Sequence, residues 1–285
     1  MNKTKFKKQL IIGSANFSQK YGADFNKVSS SEVKKILNLA KKNNIYEIDT
    51  AEAYLKDKNT FQNISKKFKF LSKISINQNW TSLEFCHQQL KNHFSKLNDN
   101  RIQTLLIHNP EFLYKKNSSQ IFKNLENLKK KYFDKIGLSI YDTGCLDYMI
   151  SNFDLDVVQC PYNILDKRIL TTGWFDKLKS LGIQIHVRSI FLQGLLVNRS
   201  VHKKKYFRKW KNFFYEWFLW LDNNNISPIN YCLSDMSYCD FDKIIIGIND
   251  YASLKDIINY KKININKMFN FKTGDLKLID PRNWK

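Results

Sequence analysis

Glycine and proline are scarce in this chain of 285 residues, nine and four in all, and nowhere do they gather with serine into a linker. With no linker and no low-complexity insert, residues 1–285 read as one domain. The five cysteines, Cys86, Cys145, Cys160, Cys232 and Cys239, form no CxxC pair and no metal-ligand spacing. An odd, scattered set of this kind reads as reduced thiols, so neither a disulfide framework nor a metal site is expected. No run approaches the roughly 18 apolar residues that a membrane helix needs. The basic start MNKTKFKK leads only into LIIG, too short for the apolar core of a signal peptide, so the expected location is the cytoplasm, away from membranes. No GxGxxG follows the first strand-like run, and a Rossmann dinucleotide site is not supported.

Acidic residues are also few: 26 against 47 lysines and arginines, a formal charge of +21. A basic segment such as HKKKYFRKWKNFFYEW at 202–217 raises the reading of a nucleic-acid binder, with lysines on phosphates and aromatics on bases. Against it, Phe207, Trp210, Phe214 and Trp217 are spaced by three, four and three, the stripe of an amphipathic helix facing a core. The lysines are spread along the whole chain among many asparagines. The charge is therefore read as a solvated surface, with recruitment of an anionic cofactor or substrate second and specific nucleic-acid binding last.

What the chain has in quantity is apolar residues, 43% hydrophobic and 14% aromatic, enough for one large core. Short apolar runs at 10–14, 45–49, 70–75, 104–108, 135–139, 156–160, 183–188 and 243–247 read as strands. Between them lie helical patterns at 57–68, 82–97, 118–132, 144–152, 173–181, 204–222, 228–238 and 251–260. The clearest helix is VSSSEVKKILNLAKKNN, where Ser29 and Glu32 have capping-box spacing and Val33, Ile36, Leu37 and Ala40 form one apolar stripe. Eight alternating units close a parallel (β/α)8 TIM barrel, whose strand C-termini share one face.

Four residues stand at or just past such strand ends: Asp49 and Tyr54 in DTAEAY, Lys73 in FLSKISI and His108 in TLLIHNP. Their chemistry fits one task. A tyrosine is a weak acid, with an ordinary pKa of roughly 10, but a nearby ammonium favours its phenolate. Lys73 supplies that charge, Asp49 keeps a buried lysine protonated, and His108 directs a carbonyl oxygen by hydrogen bonding. Together they make a proton donor for a carbonyl that receives a hydride.

The order DTAxxY, lone strand lysine, LLIHNP resembles the aldo-keto reductases, and KIGLSIYD, DVVQCPYNILD, IHVRSIFLQGLL and IIIGINDYASLKDI continue the likeness from Leu10 to about Asn259. It is most similar to the bacterial branch with HVRSxFLQGLL, often linked to surface-polysaccharide gene sets. The resemblance implies an enzyme that reduces an aldehyde or ketone with a nicotinamide cofactor, NADPH by family habit and NADH as the alternative. Asp49, Tyr54, Lys73 and His108 would be its catalytic tetrad, Tyr54 the general acid. Gly13 and Ser14 would line the nicotinamide end, and Ser139 and Gln159 would bond its amide. Arg188, followed by Ser189, takes the place of an aromatic ring that often stacks on the nicotinamide, and a planar guanidinium can stack too. Gly194, Gly247 and Asn249 fall on the phosphate-facing loops after strands seven and eight, and Asp256 keeps an acidic type near the adenine. Phe17, Trp80, Asn109 and Trp174 are candidates for the walls around a small-molecule carbonyl substrate, with a sugar-derived one suggested by the branch. After Tyr54 the chain reads LKDKNTF, a departure from the family's usual loop. That departure leaves open a non-catalytic relative that binds cofactor or a partner.

Overall fold

The computed structural model describes residues 3–284 apart from 24–26, 56–60, 62, 63, 65, 100, 201, 202, 265–268 and 270–273. Its eight strands are β1 (Leu10–Gly13), β2 (Glu47–Asp49), β3 (Lys69–Ile74), β4 (Ile102–Ile107), β5 (Phe133–Ser139), β6 (Val157–Pro161), β7 (Gln184–Arg188) and β8 (Lys243–Gly247). All pair in parallel and in chain order, and β8 returns to β1, closing the (β/α)8 barrel read from the sequence. Each observed strand overlaps its expected run. Most of the helix expected at 57–68 lies outside the described residues, as does most of the loop after Tyr54.

The period-two alternation of a strand decides what points where. Ile11, Leu71 and Ile245 cluster with one another, apart from the main core that joins the sheet to its helices. They are an interior layer of the barrel, which is packed rather than open. Two residues further along these strands are Gly13, Lys73 and Gly247, on the same face and nearer the C-terminal end. Register carries that face around the ring: Gly13 lies beside Asp49 and Gly247, Lys73 beside Leu106, and Ser139 beside Gln159. One alternation thus delivers side chains from every part of the sequence to one mouth.

The helix Ser30–Lys42 buries Val33, Ile36, Leu37 and Ala40, the stripe read from the sequence. Ser29 Oγ accepts from Glu32 N, but the capping box is only half made. Glu32 Oε1 instead accepts from the backbone N–H of Tyr251, the first residue of the helix Tyr251–Ile258, and so ties the first barrel helix to the last. That bond holds the Glu32 carboxyl below its usual range. The helix expected at 204–222 is a 3-10 turn at Lys205–Trp210 followed by a helix at Lys211–Asn223. Phe207, Phe214 and Trp217 are buried and Trp210 packs against the same core, so this stripe is not a platform for bases. A helix at Lys3–Gln9 precedes β1. Its one buried apolar side chain, Phe6, gives the sequence no helical period to read.

Gly137 on β5 marks the tightest approach in the barrel wall: a Cβ there would stand 1.9 Å from the Val157 carbonyl oxygen on β6. Backbone cannot yield as a flexible side chain can. Gly137→Ala is expected to lower the unfolding free energy by roughly 1–3 kcal/mol or more, the usual cost of overpacking, read as a lower urea midpoint. An unchanged midpoint would mean that β5 and β6 separate without cost.

Candidate active site

A cavity open to solvent lies over the C-terminal ends of the strands. Asp49, Tyr54, Lys73 and His108 all line it. Lys73 Nζ lies 2.5 Å from Asp49 Oδ2 and donates also to the Thr50 carbonyl at 3.0 Å. Asp49 Oδ1 accepts from Gln159 Nε2 at 2.9 Å, and Gln159 Oε1 accepts from Ser139 Oγ at 3.4 Å. Ser14 donates to the Asp49 carbonyl through both its backbone N–H and its hydroxyl. A chain of polar groups from β1, β2, β3, β5 and β6 therefore fixes one buried ion pair.

Burial alone would push the Lys73 ammonium toward its neutral form, and the Asp49 carboxylate acts against that. Tyr54 sits on a 3-10 turn, Glu52–Tyr54, just past β2. Its phenol is raised well above its ordinary value by burial, with Tyr21, Asp49 and Tyr141 acting in the same direction. The cation acting to lower it is Arg188, not the Lys73 anticipated from sequence, whose charge is taken up by Asp49. Tyr54 is thus a phenol that stays protonated through the neutral range. His108 is pushed down to about 4 by burial and by the Lys73 and Arg188 charges, so its imidazole is neutral at pH 7.

Of the residues expected at the cofactor, Gly13, Ser14, Ser139, Arg188, Ser189, Gly194, Gly247 and Asn249 line the cavity. Gly194 has φ +102, and neither it nor Gly247 has an atom within 4 Å of where a Cβ would stand, so both face open space. Gln159 is fully buried behind the wall and engaged with Asp49. Asp256 is exposed and outside the cavity, while Ser253 and Ile257 of the same helix line it. Arg188 is not a bare plate for a ring: its guanidinium carbon lies 4.3 Å from the centroid of Tyr141, and Nη2 donates to the Ile140 carbonyl at 3.0 Å.

The expected substrate walls are elsewhere. Phe17 and Trp80 are buried in the main core, and Trp174 is buried under Lys177, whose Nζ lies 4.2 Å from its ring centroid. Asn109 clamps Ile76 through both the backbone N–H and the carbonyl, joining the loops after β3 and β4. Tyr21, Tyr141, Phe191 and Gln193 line the cavity and were not singled out from sequence. Tyr21 contacts Tyr54 edge-on at 6.0 Å between ring centroids and accepts from Gln193 Nε2. Tyr141, two residues past Ser139 at the end of β5, carried the same strand-end signal as the tetrad.

The model of the aldo/keto reductase family matches residues 9–268. The chain belongs to that family. Among solved structures it is similar to an aldo-keto reductase of Bacillus halodurans in its holo form, at 14% identity over 90% of this chain and 88% of that one, with a TM-score of 0.67. It is similar also to the glycerol dehydrogenase of Gluconobacter oxydans, at 13% identity over 90% and 88%, with a TM-score of 0.64. At such identities the likeness is one of fold. No curated protein sequence matches the chain. Membership in the family supports an oxidoreductase that acts on small carbonyl compounds. Among the described residues no helix is long and apolar enough to cross a membrane, and no cluster of metal-binding side chains occurs.

Three histidines are held neutral: His108 and His93, each pushed down to about 4, and His186, pushed down to about 3, all chiefly by burial. Between an unfolded value of about 6.5 and these folded values, the unfolded chain binds more protons, so stability rises with pH across that window. Urea unfolding at a series of pH values should show stability falling from pH 7 toward pH 4, with a shallower slope for His186→Gln. A slope that the variant leaves unchanged would remove His186 from this balance.

Proposed function

We propose that the chain, taken as one domain over residues 1–285, is a cytoplasmic NAD(P)H-dependent reductase of an aldehyde or ketone, with Tyr54 as general acid. The observation that carries this reading is the meeting of Asp49, Tyr54, Lys73 and His108 in one cavity, with Lys73 and Asp49 in contact at 2.5 Å. The cofactor would supply a hydride to the carbonyl carbon. Gly13, Ser14, Ser139 and Ser189 are suited to the nicotinamide end, and Gly194, Gly247 and Asn249 to the phosphates, through backbone amides near a helix N-terminus. NADPH is the first choice by family habit and NADH the alternative, since GINDYASLKD holds no arginine for a 2′-phosphate and offers only Lys255.

The residues divide the work. Tyr54 keeps its proton until an oxygen accumulates negative charge beside it, and then gives it up. Arg188 eases that transfer by favouring the phenolate. His108, neutral, donates an N–H to the same oxygen without adding a second charge, which fixes the carbonyl's direction. Lys73 and Asp49 keep the floor of the site rigid and polar. A sugar-derived carbonyl is the substrate suggested by the HVRSxFLQGLL branch.

Tyr54→Phe keeps the ring and removes the proton. Reduction of an aldehyde such as 4-nitrobenzaldehyde, followed by cofactor absorbance, should fall by a factor of about 10² to 10⁴. NADPH affinity, read from quenching of tryptophan fluorescence, should change little. A variant that turns over like the wild type would show that another group protonates the product.

A further inference from the structure

Among the described residues, Arg188 carries a charge without a carboxylate partner. Arg101, Arg168, Arg199 and Arg282 each lie against an aspartate. Arg188, half-buried at the end of β7 and lining the cavity, has no carboxylate within ion-pair distance among the described residues. Asp49, the acidic residue among those lining the cavity, is taken up by Lys73 and Gln159. Arg188 instead donates to two neutral oxygens, the Ile140 carbonyl at 3.0 Å and, at 3.5 Å, Ser189 Oγ, which leaves further N–H groups of its fork for a ligand. A half-buried guanidinium left unpaired is costly, and an anion is its natural complement.

The side chain is also held in place. Its guanidinium lies over Tyr141, and over the same ring, at 4.0 Å, lies Arg282, which Asp280 grips through both carboxylate oxygens. Such stacking orients the fork before any ligand arrives. It lines the same cavity as Tyr21, Tyr54, Lys73 and His108, at the reacting end. The phosphates of a dinucleotide are separated from its nicotinamide by a ribose, so the anion at the reacting end belongs to the other ligand.

We propose that the carbonyl substrate carries an anionic group, a carboxylate or a phosphate, a few atoms from its carbonyl, and that Arg188 binds it. This rests on the carbonyl-reductase reading and names the substrate class. The overall charge of +21 would favour the approach of such a substrate.

Two matched pairs test it in the full-length protein: 4-oxobutanoate against butanal for a carboxylate, and glyceraldehyde 3-phosphate against glyceraldehyde for a phosphate. In the wild type, kcat/KM should favour the anionic member of at least one pair by about tenfold or more. Arg188→Met should shrink that preference by about tenfold to a hundredfold, as on losing a charge-assisted hydrogen bond. Arg188→Lys, which keeps the charge without the fork, should restore part of it. No preference in either pair, or one that Arg188→Met leaves intact, overturns the proposal. If no aldehyde of either pair is reduced, it is the carbonyl-reductase reading that fails, and calorimetric titration at constant ionic strength still decides the anion site. Succinate or inorganic phosphate binding more tightly than succinamide, with the difference lost in Arg188→Met, supports the site; equal binding overturns it.

Discussion

Lys73 and Asp49, opposite charges buried side by side on neighbouring strands, set the terms for everything else at the mouth of the barrel. Taking either charge out of water alone would be prohibitive, and one ion pair seldom compensates for its own desolvation without further hydrogen bonds. Here Gln159, Thr50 and the backbone around Ser14 provide the support. Lys73 is held by Asp49, and the cation that lowers the Tyr54 phenol is Arg188. Burial, above all, keeps Tyr54 and His108 as neutral donors, both suited to a substrate oxygen that becomes negative.

The fold serves this arrangement through alternation and register. Residues of like parity at the C-terminal strand ends share one face, so positions more than a hundred residues apart, such as Asp49 and Gln159, come within hydrogen-bond distance. The barrel interior beneath is filled by Ile11, Leu71 and Ile245, which closes the cavity from below. Glu32 links the first and last barrel helices near the loop where Asn249 lines the cavity.

The strands, and the meeting of Asp49, Tyr54, Lys73 and His108 in one cavity, were legible because each depends on a local pattern. Apolar runs of five or six residues ended at chemistry-bearing side chains, and parity placed these together. The interpretation of Phe17, Trp80, Asn109 and Trp174 fails for the opposite reason. Loop side chains follow no period, and whether an aromatic turns to the cavity or to the core is decided by helices that pack later in the chain. Tyr21 illustrates the converse. It reaches Tyr54 only because the β7 loop brings Gln193 back to hold it, a contact across 172 positions. Arg188 stood out as a departure, but its setting against Tyr141 and Arg282 depended on a C-terminal segment with no motif of its own.

If the buried pair organises the site for proton delivery, replacing both members at once should separate structure from chemistry. In Lys73→Met combined with Asp49→Asn, two charges give way to two neutral groups of similar size, a change that buried ion pairs often tolerate. The decisive measurement is the single-turnover rate of NADPH-dependent aldehyde reduction by this double variant, with circular dichroism confirming that it is folded. The account predicts a folded protein whose rate falls by a factor of about 10² or more. A folded double variant that reduces the aldehyde at the wild-type rate would contradict it.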